Sequence, residues 1–373
     1  MNHILRGQLR YMKQWYEVIG VSSYVEKDIR DIQEREEISL ELIHMERKIA
    51  PIQDMLSLFK LIALFIRLKP GIVHTHTPKA GLLGMLAAWL TRVPVRLHTV
   101  AGLPLMESKG VSRKLLLGIE KLTYTLANRV YPNSKGLMDF ILQEQICERK
   151  KLKVLGNGSS NGININHFTP DFTSDSLKLR EDFRKTASFD ETCLVFLFLG
   201  RIASPKGIEE LLIAFRQIHS QYPETRLLLI GPMEKENGAL KAELVREIDE
   251  HPAIHYPGRA EDIRPCLLAS DIFVFPSYRE GFPGVLLQAG AMGMPVIASD
   301  INGNNELIQD GANGLLVPAK NSQLLIAAME KYILDPALRK LHAKALQDKV
   351  RNNYRNEVIW EALHNEYQGF LGK

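Results

Sequence analysis

Two groups of residues in the second half of the chain have the types and spacing to hold an anion. The first is Glu280-Gly281-Phe282-Pro283-Gly284, set between the short apolar run Asp271 to Pro276 and a helical stretch that ends near Gly293, before a further apolar run, Val296 to Ser299. The two glycines let the backbone approach a ligand, and the first N–H groups of the following helix have no intrahelical partner. Those donors, with the positive end of the helix dipole, suit a diphosphate. Glu280 just before the turn and Gln288 one helical turn into it could reach hydroxyl groups on either side of the phosphates. A phosphate flanked by sugars is the ligand such a turn would take; the alternative is an ordinary βα turn that uses glycine for tight packing.

The second group follows the fully apolar run Leu194 to Leu199 and reads Gly200-Arg201-Ile202-Ala203-Ser204-Pro205-Lys206-Gly207. Ser204 is expected to be the N-cap and Pro205 the first residue of a helix whose apolar face holds Ile208, Leu211, Leu212 and Phe215. That places Arg201 at the strand end and Lys206 in the first helical turn, two cations at one mouth. Charge-assisted hydrogen bonds of about 1.5–3 kcal/mol each would let them grip a diphosphate. The alternative is a solvated, purely structural pair.

These residues resemble the signature of retaining, nucleotide-sugar-dependent glycosyltransferases of the two-Rossmann-domain (GT-B) architecture, in the family-four group that includes capsule, O-antigen and exopolysaccharide enzymes. The family pattern E-x-F/G-G-x-x-x-x-E followed by A-x-A-x-G-x-P-V is met by Glu280, Gly281, Phe282, Pro283 and Gly284, then by Ala289, Gly290, Ala291, Gly293, Pro295 and Val296. Gln288 stands where the family has its second glutamate; an amide can bond ribose hydroxyls but cannot act as a base. The family's G-R-x-x-x-x-K-G motif is complete at Gly200 to Gly207. The resemblance implies that Arg201 and Lys206 stabilise charge on a departing diphosphate and that Glu280 positions the donor sugar. It also implies a donor site built from Gly200, Gly231, Gly281, Phe282, Pro283, Gly284 and Val285, with Gln288 on the ribose and Arg259, Ala260 and Ile263 lining the base pocket. From the first half, His98, in the stretch Pro94 to Pro104, is expected at a strand end, closing the site. The implied chemistry is transfer with retention by front-face attack, from a nucleotide-sugar donor, a UDP-sugar, to a lipid-diphosphate-linked glycan. No metal or other cofactor is expected, since no Asp-x-Asp pattern is present.

At 373 residues the chain has room for two domains. Strand–helix alternation in both halves implies α/β architecture, two doubly wound parallel sheets facing a cleft. The expected domains are 1–165, 166–350 and a terminal segment 351–373 whose helix returns to the first domain. A domain of this kind normally opens on a strand and a glycine-rich turn, whereas residues 1–16 have helical spacing at Ile4, Leu9, Met12 and Tyr16, followed by a strand at Glu17 to Ser23. The N-terminal domain is therefore expected to lack its first strand.

Three cysteines without a C-x-x-C pair suggest neither a disulfide framework nor a zinc site and fit a reducing cytoplasm. A net charge of +4 is too weak to argue for nucleic acid. Basic residues gather in the first half, at Arg6, Arg10, Lys13, Arg92, Arg96, Lys109, Arg113, Lys114 and residues 148–151, a face that could rest on an anionic membrane leaflet or simply be solvated. The run Met55 to Leu68 is too short to span a bilayer and reads as a core helix that could graze one. Lys153 to Leu155 is expected to be the last strand of the first domain. His74 and His76 share one strand face, with no third metal ligand evident. Two other readings stay open: a nucleotide-sugar epimerase of the same architecture, against which both motifs speak, and an inactive or regulatory nucleotide-sugar binder.

Overall fold

The computed structural model describes all residues except 1–3, 24–25, 47–49, 107, 171–173, 236–237 and 373. It divides into two units, Met1–Gly162 with Asn356–Lys373, and Ile163–Arg355.

The first unit runs α1 (Gln8–Met12), β1 (Ile19–Ser22), α2 (Glu26–Glu36), β2 (Ser39–Leu42), α3 (Pro51–Leu68), β3 (Ile72–Thr75), α4 (Pro78–Leu90), β4 (Val95–Val100), α5 (Gly110–Leu126), β5 (Arg129–Pro132) and α6 (Lys135–Gln143). All its strands pair in parallel, but in two sheets, β1-β2 and β3-β4-β5. The N-terminal helix is shorter than its spacing suggests, because Gly7 takes a left-handed φ of 80° and starts the helix at Gln8. No strand forms over Lys153 to Leu155: one isolated bridge, Val130 to Leu152, and the bond from the Lys153 amide to the Val130 carbonyl are all that survives of it. Ser134 caps α6, its Oγ accepting from the Leu137 amide at 3.1 Å. The helix α3 is half core: Leu61, Leu64 and Phe65 are buried, while Ile52, Phe59 and Ile66 face out.

The second unit continues α7 (Ser174–Thr186), β6 (Leu194–Leu199), α8 (Ile208–Gln221), β7 (Thr225–Ile230), α9 (Ala242–Glu250), β8 (Ile254–Gly258), α10 (Arg264–Ala269), β9 (Ile272–Phe275), α11 (Gly284–Ala291), β10 (Val296–Ser299), α12 (Asn304–Leu307), β11 (Leu315–Val317), α13 (Ser322–Leu334) and α14 (Pro336–Asn353). Its single parallel sheet has the order β11-β10-β9-β6-β7-β8. The central strands are largely apolar because helices cover both faces, and Val195 to Phe198, Leu227 to Leu229 and Ile272 to Val274 are fully buried, whereas the edge strand β8 is mixed in composition and mostly half-buried. The order reverses between β6 and β9. Loops leaving the carboxyl ends of those two strands diverge there, which opens the ligand crevice of a doubly wound sheet.

The last helix, α15 (Asn356–Leu371), belongs to the first unit. Its Leu363 packs with Met12, Val95, Leu97 and Tyr131. Glu366 accepts from the Tyr131 hydroxyl at 2.9 Å and from Lys153 at 2.5 Å.

Candidate active site

The strand-order reversal sets the site in the second unit. At the end of β6 the Gly200 amide donates to the Ile230 carbonyl at 2.9 Å, and at the end of β7 the Gly231 amide donates to the Gly258 carbonyl at the same distance. A Cβ on Gly231, whose φ is 141°, would sit 1.9 Å from the Gly200 oxygen, so only glycine lets the two strand ends lie this close.

Between Gly200 and α8 the chain departs from the sequence-based reading. Ser204 to Lys206 form a single 3-10 turn, and the α-helix starts only at Ile208, after Gly207 in the left-handed region at φ 71°. Ser204 therefore is not the helix cap; its Oγ donates to the Ala239 carbonyl at 3.3 Å. Pro205 belongs to the 3-10 turn, and Lys206 stands ahead of the helix. The physical reason is contact with the neighbouring loop: a Cβ on Gly207 would lie 2.1 Å from the Pro276 oxygen, so the turn is folded against the end of β9.

That fold carries Lys206 onto the second motif. Its Nζ lies 2.5 Å from Glu280 Oε1, across 74 residues of sequence, and both side chains are mostly buried. Ser277 donates to the same carboxylate oxygen at 2.8 Å, and Lys206 also lies 5.8 Å from the centre of the Phe275 ring. Glu280 is thus held by two donors with its position fixed before any ligand arrives. Arg201 does not join them: it is exposed and donates to Glu234 at 2.8 Å. The two cations expected at one mouth have separate carboxylate partners.

Gly281 leads to α11, with Phe282 and Pro283 buried and Pro283 at the cap position. The Leu286 amide already donates to the Pro283 carbonyl, which leaves the amides of Gly284 and Val285 at the open end of the helix. A Cβ on Gly284 would meet nothing within 4 Å, so space lies in front of that end. Gln288, half-buried, stands one turn further along. The loop from Arg259 to Ile263 joins β8 to α10: Arg259 is exposed, while Ala260 and Ile263 pack partly against the core.

His98 is not at a strand end. It lies inside β4, which continues to Val100, and its ring is buried, with Nδ1 2.8 Å from Thr75 Oγ1. A Cβ on Gly81 would come within 2.6 Å of that ring, so α4 is packed directly onto it. The ring also borders a cavity of about 120 Å³ together with His76, Ala101, Gly102 and Glu120. His74 spends its two nitrogens on Tyr367 and Thr99, at 2.7 and 2.8 Å.

Burial holds the His98 imidazole down to about 4. The folded chain keeps this ring neutral, whereas the unfolded chain protonates it below about 6.5. Its contribution to stability is therefore complete above about pH 6.5 and is lost as pH falls toward 4, by about 2 kcal/mol at pH 5. Urea unfolding at pH 7.5 and 5.0 should show His98→Gln losing less stability on acidification than the parent chain; equal losses would assign the effect to other groups.

Several contributors gave no signal in the sequence. Ser277 orients Glu280 but belongs to no recognised motif, and Glu234, the partner of Arg201, lies in an irregular segment. Asn302, in the turn after β10, donates to the carbonyls of Glu280 and Gly281 at 3.3 and 3.4 Å and braces the loop.

Two units of parallel sheet, one of them carrying a Lys–Glu pair and an open helix end at its strand-order reversal, are the halves of a GT-B enzyme. The chain matches the family described as "Glycosyl transferases group 1" over residues 193–335 and that described as "Glycosyl transferase 4-like domain" over residues 27–158. It is 32% identical over 368 residues to the "Capsular polysaccharide biosynthesis glycosyltransferase CapM" of Staphylococcus aureus, covering 99% of this chain and 94% of that one. It is 29% identical over 311 residues to the "UDP-Gal:alpha-D-GlcNAc-diphosphoundecaprenol alpha-1,3-galactosyltransferase" of Escherichia coli, covering 83% and 78%. The fold is shared with HepE of Anabaena, solved in complex with UDP and glucose, at TM-score 0.81 and 18% identity over 98% of this chain and 96% of that one. The chain belongs to the group 1 glycosyltransferase family, and it is a glycosyltransferase.

Proposed function

We propose that this enzyme transfers a sugar with retention of configuration from a UDP-sugar to a lipid-diphosphate-linked glycan, at the cytoplasmic face of a membrane. The observation that carries the reading is the Lys206–Glu280 pair at the strand-order reversal, 2.5 Å long and supported by Ser277. A diphosphate bound at the open end of α11 lies within the field of that helix and of Lys206. Arg201, at the surface, exchanges Glu234 for the phosphates. As the bond between the sugar C1 and the diphosphate oxygen breaks, the negative charge gathers on the leaving diphosphate, where these groups stabilise it. The acceptor hydroxyl bonds to C1 on the same face and gives its proton to the departing phosphate oxygen. Glu280 orients the sugar, Gln288 bonds the ribose, and the loop from Arg259 to Ile263 receives the base; the protein's own cations do what a metal would otherwise do. A UDP-sugar and a diphospho-undecaprenol acceptor both stand in the name of the Escherichia coli relative, which supports the choice of substrates.

The test is transfer by the purified chain with UDP- and GDP-sugars and a lipid-diphosphate sugar, read by mass spectrometry. One added hexose or N-acetylhexosamine is expected from a UDP donor, at a rate unchanged by a chelator and with the donor's anomeric configuration in the product. Conversion of the donor without acceptor would establish an epimerase instead.

A further inference from the structure

Lys206 and Glu280 reach each other from two separate pieces of chain, the 3-10 turn Ser204–Lys206 after β6 and the loop 276–283 between β9 and α11. That loop forms neither helix nor strand, so no ladder of backbone bonds decides where Glu280 lies. Two contacts tie it to the turn through the backbone: the Tyr278 amide donates to the Pro205 carbonyl at 3.0 Å, and Gly207 lies against Pro276. Contacts gathered near one point fix how closely two loops approach, but not the rotation of one against the other.

A further contact, between side chains, acts at a distance from that point. The Tyr278 hydroxyl lies 2.8 and 2.7 Å from the two oxygens of Glu210 and shares its one hydrogen across the carboxylate, joining residues 68 apart in sequence. Glu210 is the third residue of α8, in the first turn, where the helix dipole favours a carboxylate. Its neighbour Glu209 faces Lys241 at 3.5 Å, whereas Glu210 makes no ion pair among the described residues. Lys320, just beyond β11, places its ammonium 4.8 Å from the centre of the Tyr278 ring and holds the ring by cation–π attraction. Burial, and after it the Glu210 carboxylate, raises the Tyr278 hydroxyl above the ordinary tyrosine value, so it remains a donor throughout the neutral range. Tyr278 is therefore held at both its ring and its hydroxyl, two residues ahead of Glu280.

We infer that Tyr278 and Glu210 are positioning residues, whose bond sets the loop 276–283 against the start of α8 and so brings Glu280 onto Lys206. Ser277 cannot do this, because it bonds Glu280 from within the same loop. The division of labour is that Ser277 aims the carboxylate and Tyr278 fixes the loop that carries it. The inference rests on the sugar-transfer reading for what the pair is positioned to do, and on the geometry alone for the positioning.

Tyr278→Phe keeps the ring under Lys320 and removes the bond to Glu210. At a temperature well below its melting point it should lower kcat for transfer by at least about fivefold, and by up to about a hundredfold if Glu280 moves by about 1 Å. KM for the donor should stay within about twofold, since the open end of α11 is untouched. Glu210→Ala should match it, whereas Glu210→Gln, which keeps an oxygen able to accept from the hydroxyl, should stay near the parent rate. In a Lys206→Ala background, adding Tyr278→Phe should change kcat by less than about twofold, because the group being positioned is already gone. The same fold loss in both backgrounds would overturn the inference, as would parent turnover in Tyr278→Phe. The positioning is also open to a test without substrate: Lys206→Ala should lower the urea midpoint less when Tyr278→Phe is present, and additive shifts would overturn the inference. If the midpoints couple in this way while no variant, nor the parent, transfers a sugar, the substrate reading fails and the positioning stands.

Discussion

Replacing Lys206 by alanine should lower kcat for sugar transfer by at least about tenfold, and by up to about a thousandfold if Lys206 carries much of the leaving-group stabilisation. Two consequences add. The cation that would meet the growing charge of the departing diphosphate is removed, and Glu280, which keeps only Ser277 as a partner, becomes an uncompensated and mostly buried carboxylate next to an incoming anion. The second effect opposes donor binding, so KM for the nucleotide-sugar should rise together with the fall in kcat. Lys206→Arg should not restore the rate, because the close single contact to Glu280 suits a compact ammonium better than a planar fork. Steady-state kinetics at saturating acceptor separate the two parameters; turnover equal to that of the parent would remove Lys206 from the site.

Gly231→Ala should destabilise the second unit by at least about 3 kcal/mol, the sum of a strained φ and an overlap that nothing nearby can relieve. The oxygen 1.9 Å from the added Cβ belongs to Gly200, whose own amide is bonded to Ile230, while the Gly231 amide is bonded to Gly258. Strand ends tied on both sides cannot separate without losing those bonds. In a unit of this size the melting temperature should fall by roughly 6–12 °C. Gly284→Ala is the matched control: with nothing within 4 Å of its Cβ, it should stay within about 0.5 kcal/mol of the parent. Calorimetry of the two variants decides the point, and equal melting temperatures would mean that the strand ends can move apart after all.

Much of the second unit was legible in its residues. The runs at Leu194 to Leu199, Leu227 to Ile230 and Ile272 to Phe275 are apolar throughout, as strands covered on both faces must be, and Gly200 and Gly231 after the first two mark strand ends. The motifs containing Lys206 and Glu280 could be placed at one mouth because parallel strands put their following loops at the same end. Partner choice was not legible. Arg201 turns to Glu234 and Glu280 takes Ser277, contacts set by how loops lie on one another rather than by spacing along the chain. Local capping rules favoured Ser204, yet the approach of Gly207 to Pro276 imposed a 3-10 turn. His98 followed the same pattern: apolar neighbours in sequence marked a strand, but where that strand stopped, and hence whether the ring emerged or stayed packed under Gly81, depended on pairing with β5. The pattern on α3 was apolar enough to suggest burial, and only the fold shows that one of its two faces is covered.

The assignment of α15 to the first unit has a consequence for synthesis. The ribosome releases residues 1–162 first, but the helix that supplies Leu363, Glu366 and Tyr367 to them comes last, after all of Ile163–Arg355 has been made. At about 5–20 residues per second the delay is roughly 10–40 s. During that interval Val95, Leu97 and Tyr131 lack a covering helix, and the nascent first unit presents an apolar surface to other chains and to chaperones. The second unit, continuous in sequence, can close its sheet while the first still waits, so the half that folds to completion first is the one translated second.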